Sequence, residues 1–276
     1  MRAKTGQAPL AVIIPTFNSE RTIRQCLESV TGQVPAPAEV VLVDDELTND
    51  ATREAAAEFG VTIRISPAGM SESRNIGVEM TSSEYILSLD SDMSTTPGLI
   101  AEIMSCFQSE KLDALSVAEA GTGSGYWARA RAIDKKAVEA TGFGRSLRAF
   151  TRSLFNAIGG YDRRLEAGED ADFHRRAVEH GARIGHIREP LIVHDEGLLT
   201  LGMVFSKKYR YGKTLRAFES KHGARALRAG YLRRVLEGSA TCIREDPLAL
   251  PGFLALKTAD ATAGFLGRFE SSSVHR

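Results

Sequence analysis

Carboxylates at the ends of apolar runs are the residues of this sequence best suited to chemistry. Asp90-Ser91-Asp92 closes the run at residues 85–89. Two carboxylates at i and i+2 on a strand end can approach one cation once the backbone turns, and hard oxygen ligands suit Mg2+ or Mn2+. Held there, the ion neutralises charge that develops on a departing diphosphate. A turn that caps a helix before Pro97 would use the same residues. Asp44-Asp45 closes a second run, 40–43. One of these carboxylates can accept the N–H of a pyrimidine ring or bond a ribose hydroxyl, although aspartate also starts ordinary turns. Arg74, early in a helical stretch, offers a planar fork to a phosphate or base; a surface arginine is the plainer reading. Glu169-Asp170 opens an amphipathic stretch, where the helix dipole alone favours acids. Asp170 is also suited to take a proton from an acceptor hydroxyl, an effect worth about 10²–10⁴-fold. His194 ends the run 191–193 and is either a metal ligand or a structural histidine.

These clusters need a scaffold that brings them together. Short apolar runs at 10–14, 40–43, 61–65, 85–89 and 112–117 alternate with helical stretches at 19–30, 51–59, 71–80 and 97–107. Ser19 suits a cap for the first of these helices, and Thr96 with Pro97 suits the start of the last. This β-α-β-α order predicts an α/β fold with a mainly parallel sheet flanked by helices. Ligands of such sheets bind beyond the carboxyl ends of the strands, which is where 16–18, 44–45 and 90–92 fall. Residues 121–125, Gly-Thr-Gly-Ser-Gly, read as a flexible loop beside Tyr126-Trp127 that can serve as a lid or an acceptor wall. Extended segments are expected at 147–150 and 184–193, and a helix after Gly168.

The net charge is zero, yet residues 198–236 carry ten Lys/Arg against the single acid Glu219, leaving 25 basic and 34 acidic residues elsewhere. That asymmetry points to an anionic partner or surface for the C-terminal part. Residues 205–236 read as basic amphipathic helices bearing Tyr209, Tyr211 and Tyr231. Residues 248–266 are mostly apolar but broken by Pro251, Lys257 and Asp260, which argues against a bilayer span. They fit an interfacial helix on an anionic leaflet, or a helical pair packed on the sheet or on another subunit. Cys26, Cys106 and Cys242 follow no metal spacing and read as reduced thiols. No leader pattern opens the sequence. The expectation is a cytoplasmic protein, peripheral on the inner face of the membrane if the interfacial reading holds, with no nucleic-acid partner.

Taken together, Val12-Ile13-Ile14-Pro15-Thr16-Phe17-Asn18, Val41-Leu42-Val43-Asp44-Asp45, Ser73-Arg74-Asn75-Ile76-Gly77, Leu89-Asp90-Ser91-Asp92, Gly159-Gly160-Tyr161-Asp162 and Gly168-Glu169-Asp170-Ala171-Asp172 resemble the family-two glycosyltransferases of the GT-A fold. The resemblance implies residues 1–197 as a nucleotide-sugar-binding catalytic domain and 198–276 as a helical appendage. It implies that Pro15, Thr16 and Phe17 contact the nucleoside, that Asp45 bonds the base, commonly uracil, and that Arg74 lies near the nucleotide. Asp92 is then the main ligand of Mn2+ or Mg2+. Asp90 and Ser91 belong to the donor site, with Asp90 near ribose or metal, and His194 completes the metal site. Asp170 is the base of an inverting single displacement. Asp44-Asp45-Glu46-Leu47 departs from the family pattern, which has Gly-Ser after the paired acids. A C-terminal transmembrane bundle and a Gln-x-x-Arg-Trp segment, features of polymerising synthases, are absent, so transfer of one sugar is expected. The acceptor is a saccharide, a lipid-linked glycan or a small molecule. A sugar-phosphate nucleotidyltransferase is the second enzyme reading, but it wants an N-terminal Gly-rich loop with Arg and Lys. A non-catalytic nucleotide-sugar-binding protein is the third, opposed by the joint presence of Asp45, Asp92 and Asp170.

Overall fold

A computed structural model describes residues 7–67, 69–141, 145–165, 167–223, 244 and 246–270. The expected features at Cys242, Tyr231 and residues 271–276 lie outside the described residues. The chain forms two compact units. The first comprises Met1–Ala120, Ser146–Arg163 and Glu169–Asp195; the second comprises Gly121–Arg145, Arg164–Gly168 and Glu196–Arg276.

The first unit is built on a sheet ordered β3-β2-β1-β4-β7-β6-β8-β5. Strands β1 (Gln7–Thr16), β2 (Ala36–Asp45), β3 (Thr62–Ser66) and β4 (Tyr85–Ser88) run parallel. Helices α1 (Glu20–Thr31), α2 (Thr52–Ala57) and α3 (Met70–Glu79) connect them in the expected order. The other half is antiparallel where β7 (Leu147–Thr151) meets β4 and β6 (Ala114–Ser124), and where β5 (Met93–Thr95) meets β8 (Ile184–Leu198). Between them lie α4 (Leu99–Glu110), α5 (Tyr126–Thr141), α6 (Arg152–Ile158) and α7 (Glu169–Glu179).

β1 is apolar on both faces because helices cover both. Leu10, Val12 and Ile14 join a core with Ile23, Leu27 and Val30 of α1 and Ile100 and Ile103 of α4. Ala11 and Ile13 point the other way, into a core with Val78, Phe150, Phe155, Tyr161 and Phe173. α3 lies close on this second face. A Cβ at Gly77 would sit 3.0 Å from the Cβ of Ile13, so glycine sets how near α3, and Arg74 with it, comes to the sheet.

Some local expectations are corrected. Ser19 occupies the cap position of α1 but makes no side-chain cap bond; its hydroxyl lies 2.7 Å from that of Ser91. Helix α4 starts at Leu99, behind Gly98 in a left-handed conformation (φ 93°), rather than at Pro97. The glycine run at 121–125, expected as a flexible loop, continues β6 as far as Ser124. There a Cβ on Gly123 would lie 2.8 Å from the Cβ of Ala128 and 3.1 Å from that of Glu196. Gly123 thus serves close packing inside a strand.

In the second unit, helices α8 (Leu201–His222) and α9 (Leu250–Glu270) lie side by side. Leu256 packs with Val204 and Ala130. Further along, a Cβ on Gly212 would lie 2.4 Å from the carbonyl oxygen of Gly264, and one on Gly267 2.1 Å from that of Tyr209. The two backbones therefore touch. An ion pair of 2.8 Å between Arg268 and Glu219 follows this seam.

Candidate active site

The carboxyl ends of the parallel strands deliver the site. β4 gives way to Asp90-Ser91-Asp92, β2 ends on Asp44-Asp45, and β1 ends at Thr16. α3 and α7 present Arg74 and Asp170 from the other core face. Arg74 is 2% exposed, which sets aside a surface arginine. Its Nη2 lies 2.8 Å from Asp90 Oδ1, and its Nη1 lies 2.7 Å from Glu169 Oε1 and 3.1 Å from Asp170 Oδ1. The guanidinium also lies over the Tyr161 ring, 5.3 Å from its centre. Asn75, next along α3, holds that tyrosine. Its Nδ2 donates to the Tyr161 carbonyl at 2.9 Å, and its Oδ1 accepts the Tyr161 N–H at 2.8 Å. Gly160, at φ 69°, has no room for a Cβ, which would fall 2.8 Å from Asn75 Oδ1. The Gly159-Gly160-Tyr161 motif thus supports the arginine.

A second arginine, Arg148 on β7, was not singled out from the sequence. Its Nη1 reaches Asp90 Oδ2 at 3.1 Å, and its Nη2 reaches Glu119 Oε1 at 2.7 Å. Both oxygens of Asp90 are therefore engaged by buried cations. Burial alone would raise the Asp90 carboxyl, but Arg148 and Arg74 outweigh it and hold the group well below the ordinary carboxylate range. Glu119 on β6 is likewise pushed up by burial, yet Arg148 brings it down to about 2. Glu169 goes the other way: burial and the adjoining Asp170 raise it, against the pull of Arg74.

Asp92 and His194 meet because β5 and β8 pair in a register that sets His194 opposite Met93. The Asp195 N–H donates to the Asp92 carbonyl at 2.8 Å. His194 Nε2 lies 3.0 Å from Asp92 Oδ2, and its Nδ1 lies 3.8 Å from Glu119 Oε2. The other Asp92 oxygen, Oδ1, is buried with no hydrogen-bond partner among the described residues. No three His, Cys, Asp or Glu side chains among the described residues converge tightly enough to hold an ion by themselves. Asp92, with its unpartnered oxygen, and the adjoining His194 have the chemistry to suit a hard cation completed by phosphate and water.

At the nucleoside end, Asp44 is fully buried, accepts from Thr16 Oγ1 at 2.6 Å and Thr48 Oγ1 at 2.9 Å, and pairs with Arg53 at 2.6 Å. Asp44 thus builds the strand end. Asp45 is half-buried and accepts the N–H groups of Leu47 at 2.9 Å and Gly69 at 3.3 Å. Pro15 is buried in β1, and Phe17, just beyond it, is 49% exposed. Ser146 Oγ donates to Asp170 Oδ2 at 2.9 Å. The structure therefore links Arg74, Asp90 and Asp170 in one network and Asp92 with His194 in a second contact, with Glu119 and Arg148 joining the two. A charged residue inside the apolar strand Leu147-Arg148-Ala149-Phe150 was the available signal for Arg148. Glu119, in Ala118-Glu119-Ala120, offered no comparable signal.

The sequence model of glycosyl transferase family 2 matches residues 11–162. Among curated relatives, glycosyltransferase AglE of Haloferax volcanii is 24% identical over 220 residues, which is 74% of this chain and 72% of that protein. The succinoglycan biosynthesis protein ExoU of Rhizobium meliloti is 28% identical over 207 residues, 65% of this chain and 60% of ExoU. The chain spans only 32% of the uncharacterized glycosyltransferase YibD of Escherichia coli, at 29% identity over 38% of this chain. Among solved structures, S. aureus TarS 1-349 with UDP-GlcNAc superposes with a TM-score of 0.56 at 17% identity, covering 96% of this chain and 91% of that one. The mannosyltransferase of Pyrobaculum calidifontis with GDP-Man and Mn2+ gives 0.58 at 18% identity, covering 99% and 82%. At such identities the likeness is one of fold, and that fold is the GT-A arrangement expected from the sequence.

Proposed function

Because the chain belongs to glycosyl transferase family 2, we propose that it moves one sugar from a nucleotide-sugar, UDP-linked by preference, to an acceptor hydroxyl with inversion and with a divalent metal. The charge balance of the site carries this reading. Asp90, Glu119, Glu169 and Asp170 face the guanidinium groups of Arg74 and Arg148, and Asp92 meets His194. Carboxylates outnumber arginines, and Asp92 keeps an unpartnered buried oxygen. A divalent cation relieves both conditions.

In this reading Asp92 and His194 hold Mn2+ or Mg2+, which when bound supplies positive charge against the diphosphate. Asp90, fixed by its two arginines, faces the ribose side with Ser91. Asp45 and Phe17 contact the base, Asp45 through its remaining lone pairs and Phe17 through its exposed ring. Thr16 and Pro15 set the strand end beneath them. Asp170 receives the acceptor proton as the acceptor oxygen bonds the anomeric carbon and the bond from that carbon to the diphosphate breaks. Single displacement gives inversion. Ser146 and Arg74 hold the two oxygens of Asp170 and aim them. The acceptor is a saccharide, a lipid-linked glycan or a small molecule. The protein works in the cytoplasm, with a peripheral station on the anionic inner face of the membrane.

Two variants test the assignment. Asp170→Asn should keep calorimetric donor affinity and lose about 10²–10⁴-fold in turnover, since an amide cannot take the proton. Asp92→Ala should weaken binding of nucleotide plus Mn2+. Wild-type turnover in the first, or wild-type affinity in the second, removes the corresponding role.

A further inference from the structure

Among the described residues, helix α9 has an outer face without charge. Its exposed positions are Pro251, Leu254, Thr258, Ala261, Thr262, Phe265, Leu266 and Phe269, which recur every three or four residues along one side. Phe265 and Phe269 are more than half exposed, and their rings meet at a tilt of 59° with centres 4.6 Å apart. The charges of the helix turn elsewhere: Lys257 and Arg131 pair with Asp260, and Arg268 pairs with Glu219. The inner side is also apolar, with Phe253, Leu256 and Ala263 buried. A helix apolar on both sides normally lies in a core. Here one side packs into its own unit and the other meets solvent.

The neighbouring helix indicates what covers that face. α8 touches α9 backbone to backbone at Gly212 and Gly264, so the axes of the two helices lie only about 8–10 Å apart. The solvent side of α8 carries exposed Lys207, Arg210, Lys213 and Lys221, and among the described residues of α8 the one acid, Glu219, is buried. Exposed aromatic and aliphatic side chains beside a one-signed basic surface match the interface of an anionic bilayer. No helix among the described residues is long and apolar enough to cross a membrane, so the contact is lateral.

We propose that the outer face of α9 lies in the headgroup layer of an anionic lipid membrane, with the basic side of α8 against the lipid phosphates. The proposal deepens the peripheral station assigned above and does not depend on the sugar-transfer chemistry. It names the surface that makes the contact.

The test is flotation of the full chain with vesicles of phosphatidylcholine, with and without phosphatidylglycerol, at low and high salt, alongside sedimentation without lipid. The wild type should float with the anionic vesicles at low salt and stay behind with the neutral ones. Phe265→Ser with Leu266→Ser and Phe269→Ser should lower the partition coefficient at least tenfold. Lys207→Glu with Lys213→Glu should abolish the preference for anionic lipid. All these positions are exposed; unchanged thermal melting checks folding, and Leu254→Ser alone, expected to give a smaller loss, is the milder companion. Flotation of the serine variant at the wild-type level overturns the proposal. So does a wild type that binds neither vesicle, or one that binds neither and sediments as a dimer which the serine variant breaks. Loss of flotation with Asp170→Asn still inactive leaves the transfer reading standing, so the two failures are told apart.

Discussion

Arg74 neutralises three carboxylates from two parts of the chain while itself buried. Burial opposes its charge, and Asp170, Asp90 and Glu169 together raise its pKa well above the ordinary value. Arg74→Met would leave Glu169 and Asp170 without their arginine and Asp90 with Arg148 alone, at a cost of about 3–5 kcal/mol. The expected drop in melting midpoint is roughly 6–20 °C, read by calorimetry. A loss below about 2 °C would show that the acids are compensated elsewhere. Glu119 is the other decisive side chain at this scale. Its Oε2 lies 3.8 Å from His194 Nδ1, close enough to bias the ring's charge and orientation, and the proposed metal role of His194 makes that contact testable. Glu119→Gln should weaken Mn2+ binding, measured by paramagnetic resonance, by about 10–100-fold. If His194→Ala weakens binding and Glu119→Gln does not, the histidine is a ligand that Glu119 does not orient. The acids at strand ends were legible because an aspartate that stops an apolar run stands out. Arg148 showed only as a charge inside an apolar strand and Glu119 not at all, since such a charge acquires its role only from the strand opposite.

α3 shows how an element places a residue. Its glycine lets it approach β1, and its Asn75 pins the turn at Gly159-Gly160-Tyr161 on which the guanidinium rests. Gly77→Val would press on Ile13 and Val43, shifting the helix at a cost of about 1–3 kcal/mol. Chemical denaturation measures that cost, and donor affinity should fall with it as Arg74 moves outward. Full stability in the valine variant would show that the sheet yields. The parallel half, β1 to β4 with α1 to α3, was readable because each strand and helix carries its own periodicity. β5, three residues long, has no pattern of its own and exists through β8. α5 was hidden because basic residues interrupt its apolar stripe, although its alanines favour a helix.

At the scale of the whole molecule, acid stability has a named contributor. Glu39 on β2 accepts the N–H of Ser82 at 3.0 Å and both the N–H and hydroxyl of Ser83, at 2.8 and 2.6 Å. Burial pushes this carboxyl up, but the bonds from Ser83 and Ser82 outweigh it, so its folded pKa is lowered. A depressed folded pKa stabilises above the unfolded value, about 4.3, and that share is lost as pH falls through the lower folded value. Glu39→Gln should therefore lower the melting midpoint at pH 7 and flatten its decline below about pH 4.3. An unchanged slope would assign the acid limb to other groups. The charge asymmetry along the chain announced that the C-terminal part differs from the rest. That residues 121–145 share a unit with it could not be read, because that grouping depends on contacts distant in sequence.

The seam between α8 and α9 admits no side chain at Gly212 or Gly267, where even a methyl group would strike a backbone carbonyl. Flexible neighbours cannot absorb that collision, since the obstacle is main chain on both sides. The pair therefore moves as a single plank, and tilting one helix tilts the other. In a saturation screen of the C-terminal third, these two glycines should tolerate nothing, alanine included, while the phenylalanines a few residues away accept polar replacements without loss of fold.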